Sequence, residues 1–132
     1  MIKAIKAESP EDIKLIFNSL GYKELPVNMM FVYGYWNENK CVGVTYLNDK
    51  YPNYFVIELK NANSLSIGKA IGNMLAEAVK LKASLLAQVS KYNFKSLKLC
   101  KQLGFRVVYT DHEFVTLEFR KEFWRYGKRW IM

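Results

Sequence analysis

The hydrophobic period of this chain changes halfway along, and that change limits the folds open to it more than any single residue does. Up to Lys60 the apolar runs IKAIKA (Ile2 to Ala7), MFVYGYW, CVGVTYL and YFVIELK are short and strand-like, with one early helix among them. From Ile67 to about Leu81 the apolar residues Ile67, Ile71, Met74, Leu75, Ala78 and Val79 fall on one helical face. SLLAQVS then reads as a buried strand, NFKSLKLCKQLGF as a second capped helix, and RVVYT with EFVTLEF as a hairpin across TDHE. This mixture argues against a helical bundle. It predicts a compact α/β (α+β) domain, with three antiparallel strands in the middle of the chain.

Local signals place the element ends. In SPEDIKLIFNSLG, Ser9 is an N-cap, Pro10 the first helical residue and Asp12 the capping-box residue, while Ile13, Ile16, Phe17 and Leu20 share a face and Gly21 stops the helix. NENK has the composition of a hairpin turn. Asn93 caps the helix that carries Leu97, Cys100 and Leu103 on one side, and Gly104 ends it. No repeat or linker interrupts the order, so 132 residues are read as one domain, 1–132, with a basic aromatic tail at 120–132.

Composition narrows the function classes. Hydrophobic content of 51% argues against disorder. Cys41 and Cys100 lie in apolar runs without CxxC or His/Cys ligand spacing, which suggests neither a disulfide framework nor a metal site. The first residues lack an apolar leader core and no run reaches the ~18 apolar residues of a span, so a cytoplasmic protein with no membrane association is expected. The net charge of +8 favours anionic partners. Its densest cluster is FRKEFWRYGKRW, where Arg125, Lys128 and Arg129 interleave with aromatics; that tail can hold nucleic acid or an acidic protein, or simply pack its rings on the sheet.

The order strand, helix, three strands, helix, strand, helix, two strands resembles the GCN5-related N-acetyltransferase (GNAT) superfamily. Many members carry N-x-x-A-x-x-L-Y-x-x-x-G-F, and here Asn93, Ser96, Leu99, Cys100, Gly104 and Phe105 fall at those positions. The resemblance implies a central mixed, mostly antiparallel sheet of six to seven strands flanked by about three helices. It also implies acetyl-CoA as acyl donor and an amine as acceptor. At the position of Cys100 the family's tyrosine protonates the departing coenzyme A thiolate. A cysteine there is a buried structural residue, a shorter acid, or a group with a redox or covalent role.

The same resemblance implies a phosphate-binding turn of the form R/Q-x-x-G-x-G/A in SIGKAIGNML. It puts Ile67 at the Arg/Gln position, Ala70 at the first glycine and Gly72 at the second. Cofactor contacts are thus expected from Gly68, Lys69, Ala70, Ile71 and Gly72, through backbone N–H groups at a helix N-terminus, and from Asn93. Those letters are equally those of a helix packing small residues on a strand. The general base is expected to be Glu58 on YFVIELK, with Tyr54 and Tyr92 as secondary candidates; its alternation sets Glu58 opposite Ile57 and Leu59.

Two function readings follow. One is an N-acetyltransferase acting on an amine of a small molecule or protein. The other is a GNAT-fold protein that has lost acetyl transfer and serves as a binding or structural module. The short, Lys- and Asn-rich chain is similar in style to bacteriophage products, which extends the second reading to a virion or host-takeover factor.

Overall fold

The computed structural model describes residues 2–49, 54–60, 67–81 and 83–120, and of Ile67 and Gly68 the backbone. The described elements run β1 (Ile2–Lys6), α1 (Pro10–Ser19), β2 (Met29–Asn37), β3 (Lys40–Asn48), β4 (Tyr54–Lys60), α2 (Ile67–Leu81), β5 (Ser84–Ser90), α3 (Phe94–Gln102), β6 (Arg106–Thr110) and β7 (Phe114–Phe119). The strands form one seven-stranded sheet in the order β1-β2-β3-β4-β5-β7-β6. Every pair is antiparallel except β4 with β5, which are parallel. That exception follows from connectivity, because α2 lies between β4 and β5 and returns the chain to the same end of the sheet. The sheet and its three helices meet the expectation from the sequence.

Capping chemistry fixes the helix starts. Ser9 Oγ accepts the Asp12 N–H at 3.2 Å, and Asn93 Oδ1 accepts the Ser96 N–H at 3.2 Å. The Asp12 carboxylate takes the N–H of Glu8 at 3.0 Å, so the expected box closes one residue before the cap. Gly104 has φ 103°, which lets the chain leave α3 and drop Phe105 into the core.

The helices cover both faces. On one, Ile16 and Phe17 of α1 meet Val32, Cys41, Val44 and Tyr46. Gly34 permits this approach: a Cβ there would lie 2.9 Å from Ile16 side-chain atoms. On the other face, Ile71, Met74, Leu75 and Ala78 of α2 and Cys100 of α3 pack with Leu47, Leu85, Ala87, Leu117 and Phe119. Tyr46 and Leu47 are adjacent in sequence, so they face opposite sides. Burying each of the large residues contributes about 1.5–3 kcal/mol.

One charge is buried beneath α2. Glu77, 1% exposed, accepts from Tyr33 Oη at 2.8 Å and pairs with Lys6 Nζ at 2.8 Å and Lys80 Nζ at 3.1 Å. Burial alone would raise its pKa, but hydrogen bonds from Lys6, Tyr33 and Lys80 outweigh that and bring it down to about 2. A depressed carboxylate contributes stability above its unfolded value, and that contribution is lost as pH falls towards the folded value. Urea midpoints should therefore drop between about pH 5 and about pH 3, and Glu77→Gln should flatten that drop. Removing the Tyr33 hydroxyl by Tyr33→Phe should cost about 1.5–3 kcal/mol, since it deletes a hydrogen bond to a charged carboxylate whose Oε2 keeps only Lys6.

No helix among the described residues is long and apolar enough to cross a membrane.

Candidate active site

The pairing of β4 with β5 runs from Tyr54↔Ser84 to Ile57↔Ala87 and then ends, although both strands continue for three more residues. Each holds its outer neighbour over that stretch. Glu58, Leu59 and Lys60 pair with Tyr46, Thr45 and Val44 of β3, while Gln88, Val89 and Ser90 pair with Thr116, Val115 and Phe114 of β7. The inner edges of Glu58–Lys60 and Gln88–Ser90 therefore face each other without a ladder between them. Local bonds draw the end of β5 towards β7 and α3: the Lys91 N–H donates to the Glu113 carbonyl at 3.1 Å and the Asn93 N–H to the Ser90 carbonyl at 2.9 Å.

The parting strands leave a cleft of about 340 Å³. Glu58, Ile71, Gln88, Ser90, Asn93 and Cys100 are among its walls. Glu58, Ile71, Asn93 and Cys100, four residues singled out in the sequence, thus meet at one place. Glu58 pairs with Tyr46 and so lies on the α1 face of the sheet, at the rim. Burial and then the Glu58 charge push the Tyr46 hydroxyl up to about 12, so it stays neutral beside the carboxylate. Asn93 spends its oxygen on the α3 cap, which leaves its two N–H donors for the cleft.

Cys100 is 1% exposed, and burial pushes its thiol up to about 11. It is uncharged at neutral pH and forms part of the inner wall. Cys41 is also free and buried, in the core cluster of the α1 face.

The α2 residues divide. The helix begins at Ile67, so the N–H groups with no carbonyl partner inside the helix are those of the first turn, residues 67–69. Lys69 is exposed there, and Gly68 contributes backbone. Ala70 is fully buried against Ile2 and Tyr35, and Ile71 turns its side chain to the cleft. From Ile71 onward the amides are within the helix and committed to carbonyls four residues back, so Ile71 and Gly72 do not offer the free N–H groups expected of them. Gly72 is exposed, and a Cβ there would meet nothing within 4 Å. Gly72→Ala should therefore raise stability by about 0.5–1 kcal/mol, read as a higher urea midpoint.

The secondary base candidates lie elsewhere. Tyr54 donates its hydroxyl to Glu118 at 2.7 Å, and Arg120 Nε approaches the same carboxylate at 3.0 Å. Tyr92 is 72% exposed. Arg125, Lys128 and Arg129 lie outside the described residues. Among the described residues no three His, Cys, Asp or Glu side chains cluster as metal ligands. Sequence reasoning missed Gln88, Ser90 and Ser96 as wall residues. The polar letters at alternate positions near the end of SLLAQVS were the available signal, but only the register shows that they border a gap.

No family model matches the chain, and no curated protein matches it. Solved structures do. The N-acetyltransferase PseH of Campylobacter jejuni superposes with a TM-score of 0.62 at 20% identity, covering 90% of this chain and 97% of that one. The same enzyme in complex with acetyl coenzyme A gives 0.56 at 20% identity, covering 91% and 99%. The ribosomal-protein-S18-alanine N-acetyltransferase of Escherichia coli gives 0.62 at 12% identity, covering 89% and 92%. At these identities the likeness concerns architecture, and with the parted β4–β5 pair it leads to one conclusion: this chain has the GNAT acetyltransferase fold.

Proposed function

We propose that the cleft between β4 and β5 binds acetyl-CoA and that the chain transfers the acetyl group to an amine of a small molecule or protein. The observation that carries this reading is the end of β4–β5 pairing at Ile57↔Ala87 with Glu58 on the rim. Two strand edges with no ladder between them suit a ligand arm that carries amides of its own. The first-turn amides at residues 67–69, with Lys69 beside them, suit its phosphates, and the Asn93 donors suit a carbonyl. When bound, acetyl-CoA supplies the thioester carbonyl that an amine attacks.

Glu58 takes the proton that the incoming amine must lose, and it does so from the α1 face, where the acceptor enters. Cys100 forms the wall and is not the acid. Burial pushes its thiol up to about 11, well above an ordinary thiol, so handing its proton to a free thiolate is uphill. Cys100→Ala should keep kcat within about threefold, whereas loss of a true general acid lowers it about 10²–10⁴-fold.

The binding-module reading draws on Ile67 in place of the polar Arg/Gln and on the helix-committed amides of Ile71 and Gly72. The two readings separate on one assay: release of free coenzyme A from acetyl-CoA in the presence of a panel of primary amines. Amine-dependent release supports the enzyme. Acetyl-CoA binding without release for any amine supports the module and overturns acetyl transfer.

A further inference from the structure

From Lys91 to Gln102 the chain reads KYNFKSLKLCKQ, with four lysines and no aspartate or glutamate. With successive residues about 100° apart, Lys101, Phe94, Lys98, Gln102 and Lys95 occupy adjoining positions over about 120° of α3. All five are exposed, while Ser96 and Cys100 are buried beneath them. Phe94 sits between Lys101 and Lys98 on that arc and is 73% exposed, and Tyr92, just before the helix, is 72% exposed with Lys91 Nζ 5.7 Å from its ring centre. Among the described residues no carboxylate pairs with Lys95, Lys98 or Lys101.

Two largely exposed aromatic rings beside Lys95, Lys98 and Lys101, which pair with no carboxylate among the described residues, have no role in the core and none in the acetyl-transfer scheme; Lys91 lies close enough to Asp111 to help hold that carboxyl low. Singly exposed apolar residues are ordinary, but two exposed rings adjoining a run of lysines form a contiguous patch, and a solvated lysine face needs no ring at its centre. Lysines attract phosphates, and flat rings stack on bases that are not already stacked in a duplex. The pattern of four cations and two rings, spread along a nine-residue helix of about 13 Å and the turn before it, exceeds what one nucleotide needs. We infer that the exposed face of α3, with Tyr92 and Phe94 as stacking rings and Lys91, Lys95, Lys98 and Lys101 as phosphate contacts, binds single-stranded nucleic acid. This surface is independent of the acetyl-transfer proposal.

The test is fluorescence anisotropy with a fluorescein-labelled oligothymidylate of about twelve nucleotides and the full chain. Three or four phosphate contacts on a single strand predict a log–log salt slope of about −2 to −3, a loss of about 15- to 60-fold between about 50 and about 200 mM salt. Phe94→Ala should weaken binding by about 5- to 150-fold. The double change Lys98→Glu and Lys101→Glu should shrink the salt slope by about 1.4. These residues are exposed, so unchanged melting temperatures confirm that the variants remain folded. Three results would overturn the inference: oligothymidylate binding that none of these variants alters, equal displacement by polyglutamate, or stoichiometric displacement by acetyl-CoA. The first would place binding elsewhere, the second would make the face a site for acidic polypeptide, and the third would assign it to the cleft's own ligand.

Discussion

Glu58→Gln is expected to lower kcat for acetyl transfer by about 10²–10⁴-fold while leaving acetyl-CoA affinity within about twofold. The substitution keeps the shape of a half-exposed side chain on β4 and removes only its capacity to take a proton. Glu58 holds its place through backbone pairing with Tyr46, so the cleft should keep its form. Because the proton acceptor is gone, the residual rate should rise with pH as free amine becomes available without help. A merely structural role for Glu58 would instead change the melting temperature and spare that pH profile. Full activity in Glu58→Gln would place the proton on water or on another group and remove the carboxylate from the mechanism.

The largest effect on stability is expected from Phe119→Ala. Phe119 is fully buried at the end of β7, pairs across the sheet with Leu85, and sets its ring 5.5 Å from that of Phe105. Phe105 is the residue that the Gly104 turn drives inward after α3, so this ring pair ties α3 to the sheet. Truncation removes the transfer energy of a phenyl group and leaves a cavity, about 3–5 kcal/mol together. Against a total of about 5–15 kcal/mol this is a large share, and the urea midpoint should fall with an unchanged slope. Phe94→Ala, at an exposed phenylalanine of α3, should change stability by no more than about 0.5 kcal/mol.

The contrast between these two phenylalanines shows what the sequence can and cannot reveal. Element order and ends were legible because caps and stops act locally: Ser9, Asn93 and Gly104 work within one turn of themselves. YFVIELK and SLLAQVS became β4 and β5 with the bounds their apolar runs suggested. Glu58 was legible as a candidate from its place on a strand, but its facing direction was not, because that depends on which neighbour β4 pairs with. The α2 residues were less legible still. A pattern that can be read as a glycine turn or as helix interior is decided by where the helix starts, and a start at Ile67 puts Ala70 in the core and ties up the amides of Ile71 and Gly72. Cys100 posed a chemical question that only burial answers, since the same thiol near solvent would titrate some two units lower. The Tyr33–Glu77–Lys6 cluster joins residues more than forty apart in sequence, and no short pattern encodes it.

Calorimetric titration with acetyl-CoA, run on the natural chain and on Ser90→Trp, asks whether the gap between β4 and β5 is a ligand site. Ser90 is half-buried in the cleft wall, so a tryptophan there obstructs the gap without disturbing the core. Micromolar binding to the natural chain is expected, weakened more than about tenfold in the variant, a difference of at least about 1.4 kcal/mol. No heat with millimolar acetyl-CoA, or equal affinity in both proteins, would contradict it and leave the parted strands as a feature of the fold alone.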